Sequence, residues 1–253
     1  MTPPATTGYA DVNGLRMYYE VRGEGRPLVL LHGGVHTIEL SFGALLEPLS
    51  TGRRTIAVEL QGHGRTADTG RELSYERLAA DVVALLDVLG IERADVFGYS
   101  FGGLTALQTA IGHPERVDRL VLAAVHYRAD GYHPEITDPA QDSPRLPTEA
   151  DFADMVAAYR RVAPDPDHFD AFMARMNESV HGDEGWPEEA LRGIAAPTLL
   201  ILGDTDFIRL DHAVRMHELI PDARLAVLPG TTHMEVVRRA ELVVPMVDAF
   251  LAR

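Results

Sequence analysis

The chain has 253 residues, of which 46% are hydrophobic and 24% charged, a composition typical of a soluble globular protein. It contains no cysteine, and all 23 basic residues are arginine, which excludes disulfides, thiolate nucleophiles, cysteine-held metals, lysine Schiff bases and a P-loop lysine. The net charge of −15 argues against partners such as nucleic acid or an anionic membrane surface.

Neither a targeting segment nor a membrane span is predicted. Residues 1–7 have no basic start and no apolar core, so they do not resemble a signal peptide. No apolar run approaches the ~18 residues that a transmembrane helix needs. We therefore expect a cytoplasmic protein with no membrane partner.

Hydrophobic periodicity predicts alternating strands and helices along most of the chain. In chain order, we expect strands at 15–23, 27–31 and 53–60, a helix at 74–89, a strand at 94–100, a helix at 101–112, a strand at 117–125, helical pieces at 149–162 and 167–180, strands at 197–202 and 224–228, and a helix at 235–251. Ser74 is a good N-cap for the first of these helices. Strands separated by helices predict an α/β fold with a mostly parallel central sheet and helices on both faces.

This alternation lapses between residues 126 and 191, a stretch with seven of the 16 prolines. The pattern returns at a clear core strand, which favours an insertion over a second domain. We predict a core domain formed by residues 1–125 and 192–253, with residues 126–191 inserted as a helical lid before the strand at 197–202.

The most informative motif is Gly98-Tyr99-Ser100-Phe101-Gly102, a G-x-S-x-G sequence between a predicted strand and a predicted helix. A sharp strand-to-helix turn exposes the Oγ of the central serine, and the chain passes itself so closely that the flanking positions need glycine. The helix that follows directs its N-terminal N–H groups at the reacting centre. Ser100 is therefore the predicted nucleophile.

A serine nucleophile needs a base that a carboxylate orients, and both candidates follow later strands. Asp204 and Asp206 follow the strand at 197–202, and His233 follows the strand at 224–228. His233 is the one histidine of eleven in the right order and context; the other ten are interpreted as structural or solvent-facing.

These segments together resemble the serine-nucleophile branch of the α/β-hydrolase fold superfamily, over nearly the whole chain. The resemblance includes His32-Gly33-Gly34, the acid loop 203–206 and the segment 229–233. It implies that the second acid, Asp206, serves the triad with Ser100 and His233, while Asp204 has a turn or hydrogen-bonding role. Relatives that use aspartate at position 100, such as haloalkane dehalogenases and epoxide hydrolases, are disfavoured, and lysine-dependent hydroxynitrile lyases are excluded.

The resemblance also implies an oxyanion hole of backbone N–H groups from Phe101 and Gly34, with Val35 as the next candidate. His32 is interpreted as a loop-bracing residue, and His63 and Arg65 as structural residues, with a ligand role as the less favoured alternative. The predicted substrate pocket contains Val35, His36, Tyr127, Trp186, Phe207 and Met234. Further candidates in the lid are Tyr132, Phe152, Met155, Tyr159, Phe169, Phe172, Met173 and Met176, although their helical spacing is more typical of packing.

These features predict a hydrolase that cleaves a carboxylic ester of a small or medium neutral substrate through an acyl-enzyme on Ser100. A lactonase, a C–C bond hydrolase or a perhydrolase would use the same triad, and a non-catalytic ligand-binding protein of this fold is a remote alternative. No metal site is predicted, since H-E-x-x-H is absent and His212 and His217 lie five residues apart. No cofactor is expected; the partner is a small-molecule substrate, and the oligomeric state is open, a homodimer included.

Overall fold

An eight-stranded sheet forms the centre of the protein in a computed structural model that describes residues 5–138, 142–182 and 184–252. The strands are β1 (Thr6–Val12), β2 (Leu15–Arg22), β3 (Arg26–Leu31), β4 (Arg53–Val58), β5 (Ala94–Tyr99), β6 (Val117–Ala123), β7 (Thr198–Thr205) and β8 (Ala223–Thr232). Their order across the sheet is β1-β2-β4-β3-β5-β6-β7-β8. Only the pairs β1–β2 and β2–β4 are antiparallel, so the predicted mostly parallel sheet is confirmed.

Helices cover both faces of this sheet. They are α1 (Ile38–Phe42), α2 (Leu46–Leu49), α3 (Tyr75–Val88), α4 (Phe101–Gly112), α5 (Pro134–Thr137), α6 (Glu149–Val162), α7 (Phe169–Gly182), α8 (Glu188–Arg192), α9 (Leu210–Leu219) and α10 (Ala240–Leu251). Side chains of α3, α4 and α9 belong to one hydrophobic cluster, and those of α1, α2 and α10 to another. Because strand side chains alternate between faces, Val29 and Leu31 enter the first cluster while Leu28 and Leu30 enter the second.

Every predicted strand and helix has a counterpart in the structure, but β8 extends four residues beyond its predicted end, and six elements had no predicted bounds: β1, α1, α2, α5, α8 and α9. Strand β1 escapes prediction because it is an edge strand with several exposed residues and little apolar alternation. The short helices α1 and α2 fill a loop that the sequence left unassigned. The last helix begins at Ala240 rather than at 235, because a separate 3-10 turn at Val236–Arg238 precedes it.

Four helices, α5 to α8, lie between β6 and β7, in the segment predicted as an inserted lid. Helix α6 starts with a reciprocal capping box between Thr148 and Asp151. Asp151 also pairs with Arg238 at 2.7 Å, which joins this segment to the C-terminal part of the chain. The division into core and lid stays a prediction; residues 1–4, 139–141, 183 and 253 of those ranges lie outside the described residues, as does most of the N-terminal segment for which no signal peptide is expected.

None of the described helices is both long and apolar enough to cross a membrane. Within the same residues, no group of three or more histidine, aspartate or glutamate side chains is placed to hold a metal ion.

Helix α4 offers a direct test of how closely the elements pack. A Cβ atom at Gly102 would lie 2.3 Å from the carbonyl oxygen of Leu31 and 2.4 Å from that of His32, so Gly102→Ala forces α4 away from β3. We expect this overpacking to cost about 2 kcal/mol or more of unfolding free energy, which corresponds to a Tm about 4–8 °C lower for a chain of this size. Thermal unfolding followed by circular dichroism measures the change.

The matched control is Gly112→Ala at the other end of the same helix. There the only neighbour of the new Cβ is the amide nitrogen of Gln108, at 3.4 Å, and alanine is the better helix former. Gly112→Ala should therefore melt at or above the wild-type temperature. A Gly102→Ala protein that melts with the control would contradict the close packing.

Candidate active site

The predicted catalytic side chains meet at the carboxyl edge of the parallel strands. Ser100 directly follows β5, Asp206 directly follows β7, and His233 directly follows β8. Each strand therefore delivers one group to the same edge, the place where α/β sheets position their sites.

The turn at Ser100 holds the backbone in an unusual conformation. Ser100 has φ 51° and ψ −120°, outside the favoured regions for a residue with a side chain. The turn is possible because Gly98 and Gly102 leave room: a Cβ at Gly98 would lie 2.4 Å from the carbonyl oxygen of Gly102. The serine hydroxyl consequently stands at the N-terminus of α4.

A continuous chain of hydrogen bonds joins the three side chains. The Oγ of Ser100 lies 2.9 Å from Nε2 of His233, and Nδ1 of His233 lies 2.7 Å from Oδ1 of Asp206. Asp206 is fully buried, and its Oδ1 also accepts the N–H of Ile208 at 3.2 Å. The arrangement positions Nε2 to take the serine proton while the carboxylate orients the ring and stabilises its positive charge.

The two candidate acids have different contacts. Asp204 accepts a hydrogen bond from the N–H of Thr231, and such bonds from the backbone at Gly230 and Thr231 lower the pKa of Asp204. It therefore ties the acid loop to β8, whereas Asp206 is the carboxylate that contacts His233. The loop is also held from the inserted segment, since Arg145 donates to the backbone oxygen of Asp206 at 2.9 Å.

Aromatic side chains hold the imidazole of His233 in place. Phe207 stacks on it with the ring centres 4.0 Å apart and the planes 8° from parallel. On another side lies Tyr99, 5.5 Å between ring centres, whose hydroxyl donates to the backbone oxygen of His233 at 3.0 Å. The ring is thereby limited to orientations that keep Nε2 near Ser100.

The two predicted oxyanion donors are neighbours. A Cβ at Gly34 would lie 3.5 Å from the Cβ of Phe101, so the loop after β3 runs beside the start of α4. Phe101 is the first residue of α4, and its N–H therefore has no partner within the helix. Val35, the next candidate donor, has φ 61°, a strained value for a β-branched residue.

Buried neutral histidines brace this loop from behind. The N–H of Leu60 donates to Nε2 of His32, so the ring proton is on Nδ1 and is donated to the carbonyl oxygen of Gly33 at 2.8 Å. Burial lowers the pKa of His32 to about 4, which keeps the ring neutral at pH 7. His63 lies against it, with ring centres 4.7 Å apart, and both support the loop rather than face a ligand.

A cavity of about 160 Å³ opens beside Ser100 and His233. Four of the eight methionines line it together with two histidines, two aromatic residues and small residues. The lining residues are Gly33, Gly34, Val35, His36, Tyr99, Ser100, Pro147, Met155, Met173, Met176, Asn177, Phe207, His233 and Met234. Within the described part of the chain, no arginine and no carboxylate belongs to this lining.

The structure places four of the six predicted pocket residues in this lining: Val35, His36, Phe207 and Met234. Tyr127 and Trp186 lie elsewhere, a correction to the predicted set. Trp186 donates from its indole nitrogen to Gln108, two turns along α4 from Ser100, and Tyr127 stacks on His212 at 4.4 Å. Both side chains pack the inserted segment onto the core.

Of the further candidates in the inserted segment, only Met155, Met173 and Met176 line the cavity. Tyr159, Phe169 and Phe172 instead pack on one another, as their helical spacing indicated, and Phe152 is 49% exposed. Sequence reasoning missed Pro147, Asn177 and Tyr99. Asn177 lies four residues after Met173 and one after Met176, so helical periodicity along α7 was the available signal.

Comparisons of this chain with known proteins agree on one protein family. The family model of the alpha/beta hydrolase fold matches residues 26–180. A 2-hydroxymuconate semialdehyde hydrolase from Pseudomonas putida is 32% identical over 259 residues, which cover 94% of this chain and 92% of the relative.

Solved structures repeat the whole architecture. A meta-cleavage product hydrolase from Pseudomonas fluorescens IP01 superposes with a TM-score of 0.82 at 23% identity, covering 96% of this chain and 97% of its own. An enol-lactonase from Burkholderia xenovorans LB400 gives a TM-score of 0.79 at 24% identity, covering 97% and 100%. The family model and the full-length relative together show that this chain belongs to the α/β-hydrolase fold family and is a hydrolase.

Proposed function

We propose that the protein is a serine hydrolase that cleaves a carboxylic ester of a small or medium neutral substrate through an acyl-enzyme on Ser100. The observation that carries the proposal is the unbroken chain Ser100–His233–Asp206 at the edge of an apolar cavity. The chain supplies an activated nucleophile, and the cavity determines which carbonyl compounds reach it.

The reaction follows from the contacts of the triad. His233 Nε2 takes the hydroxyl proton as Ser100 Oγ attacks the carbonyl carbon, and Asp206 stabilises the imidazolium. The N–H groups of Phe101 and Gly34 bind the oxyanion, a contribution of about 3 kcal/mol for each well-placed donor. His233 then gives its proton to the leaving alcohol. A water molecule repeats these steps on the acyl-enzyme and releases the acid.

The size and lining of the cavity limit the substrate. An apolar cavity of about 150 Å³ holds one benzene molecule, so about 160 Å³ fits an acyl or alcohol group of that size. Methionine side chains are flexible and polarisable, and Met155, Met173, Met176 and Met234 can adjust to groups of different shape. The nearby Arg238 is paired with Asp151 and does not line the cavity. A neutral substrate is therefore favoured over an anionic one.

C–C bond hydrolysis is the second candidate, because the relative at 32% identity is named for 2-hydroxymuconate semialdehyde. That name describes a carboxylate, which needs a compensating cation or several hydrogen bonds in a buried site. The absence of arginine from the described lining argues against such a substrate here. Hydrolysis of a neutral lactone uses the same groups as hydrolysis of a neutral ester.

Ser100→Ala removes the proposed nucleophile. We expect kcat/KM for 4-nitrophenyl butanoate to fall at least about a thousand-fold, because no acyl-enzyme forms. Labelling by an organophosphorus reagent, followed by mass spectrometry, should disappear as well. Ser50→Ala is the matched control: Ser50 lies before β4, at the opposite edge of the sheet, and bonds to Leu46 and Thr55.

Ser50→Ala should keep its labelling and its activity per folded molecule. Two results would contradict the proposal: turnover that survives in Ser100→Ala, or saturable ligand binding by the wild type with no acylation of Ser100. The second result would favour a ligand-binding protein.

The charge of the substrate separates the two candidate functions. The 4-nitrophenyl monoester of succinic acid has nearly the length of the pentanoate ester but adds a carboxylate. We expect a kcat/KM at least about a hundred-fold lower for the charged ester, since a buried carboxylate without a partner costs several kcal/mol. Steady-state kinetics on both esters, beside an anionic vinylogous diketone, measure the preference. Equal rates on the two esters would contradict the preference for a neutral substrate, and faster cleavage of the diketone would favour C–C bond hydrolysis.

A further inference from the structure

His36 is the polar lining residue whose role the triad does not explain. It is 3% exposed, follows the loop that carries Gly34, and lines the cavity. The other polar side chains of the described lining are accounted for. Ser100 and His233 belong to the triad, the hydroxyl of Tyr99 is bonded to the backbone of His233, and Asn177 is exposed.

Ser41, on helix α1, determines which nitrogen of His36 carries the proton. The Oγ of Ser41 accepts the N–H of Gly33 at 3.1 Å and lies 2.9 Å from Nδ1 of His36. In the described structure the hydroxyl has no other acceptor, and Ser41 is buried, so its proton is donated to Nδ1. The ring hydrogen of His36 is therefore on Nε2. Burial lowers the pKa of His36 to about 3, so the ring is neutral and has this one N–H to donate.

The Nε2 atom of His36 faces accessible space. It has no hydrogen-bond partner among the described residues. It is also not one of the fully enclosed polar atoms that lack a partner, which are Arg22 Nε, His63 Nε2, Asp95 Oδ2, His126 Nδ1 and Asp206 Oδ2. Because the ring lines the cavity, the unpaired N–H opens into the cavity.

His36 and the catalytic base share a neighbour. The ring of Tyr99 lies 5.8 Å from that of His36 and 5.5 Å from that of His233, measured between centres. Both histidines therefore line the cavity beside the same tyrosine, which makes the N–H of His36 available to a substrate bound at Ser100.

We propose that His36 is a specificity-determining residue whose Nε2–H binds an additional acceptor oxygen, an ether, keto or hydroxyl oxygen, that the substrate carries near its scissile ester. This inference rests on the proposed ester hydrolysis and narrows its substrate class. A wholly hydrocarbon group leaves the buried N–H without a partner, whereas an oxygen at that point satisfies it. For this reason, a site that forms a hydrogen bond with a polar substrate group discriminates against analogues that lack the group.

Two esters of equal length test the proposal. In 4-nitrophenyl methoxyacetate an ether oxygen replaces one CH₂ group of 4-nitrophenyl butanoate. The readout is the ratio of the two kcat/KM values, in which any loss common to both substrates cancels. We expect the ratio to fall about ten-fold in His36→Leu, the effect of one lost hydrogen bond. His36→Gln keeps an N–H donor and should retain much of the ratio. His217→Leu, on the exposed surface of α9, is the matched control and should leave the ratio at the wild-type value.

Binding to the Ser100→Ala protein gives a test that does not depend on turnover. Adding His36→Leu to this protein should raise Kd for the methoxyacetate about ten-fold relative to Ser100→Ala alone. Adding His217→Leu should leave the ratio of the Kd values of the two esters unchanged. If His36→Leu does not fold, the NMR resonance of the His36 Nε2–H in Ser100→Ala serves instead. It should shift on binding of the methoxyacetate and much less with the butanoate.

Different results would contradict the proposed role of His36 and the proposed ester hydrolysis. Ser100-dependent turnover with an unchanged ester ratio and an unchanged Kd ratio in His36→Leu would overturn the role of His36 and leave the ester hydrolase standing. An Nε2–H resonance that responds equally to the two esters would overturn it too. Absence of turnover on either ester contradicts the proposed function, and the binding measurements then still decide whether His36 recognises the oxygen.

Discussion

The close approach of helix α4 to strands β3 and β5 is the constraint on which the candidate active site depends. Backbone atoms of the two strands and the helix come so near that Gly98 and Gly102 have no room for a Cβ. This contact forces Ser100 to φ 51°, a conformation that costs about 1–3 kcal/mol. The buried Phe97 and Leu104 on either side of the turn pack into the two cores and offset that cost. The strain is useful because it presents the hydroxyl at the helix N-terminus, beside His233.

The second requirement is that the loop with the predicted oxyanion donor Gly34 be held firmly without placing charge in the cavity. His32 and His36 meet this requirement as neutral rings, since His32 is bonded through both ring nitrogens and His36 through Nδ1. Behind them, the fully buried Glu59 accepts the N–H groups of Ile38 and Arg65, and burial raises its pKa to about 7. Arg65 pairs with Glu59 at 2.9 Å, away from the cavity lining. Charge is thus kept behind the loop, and the cavity itself stays suited to a neutral substrate.

Most of the fold was predictable because its signals are local. Helix α6 has the predicted bounds, since Thr148 caps its N-terminus and its apolar residues follow a helical period. Ser74 caps α3 as expected, its side chain accepting the N–H of Arg77. Strand β1 was missed because an edge strand gains its stability from pairing with β2, a partner that its own composition does not reveal. The methionines of α6 and α7 line the cavity although their helical spacing is more typical of packing, because periodicity does not distinguish a side chain that packs from one that lines a pocket.

The sequence by itself determined the parallel sheet and predicted the nucleophile and the order of the triad, because the spacing of glycines, strands and helices along the chain encodes them. It also excluded thiol and lysine chemistry through composition alone. Only the tertiary structure decided that Asp206, the acid that the resemblance implies, contacts His233, that Trp186 packs against α4, and that Ser41 bonds to Nδ1 of His36. These outcomes depend on the directions of side chains and on contacts between residues far apart in the chain, which no local pattern records.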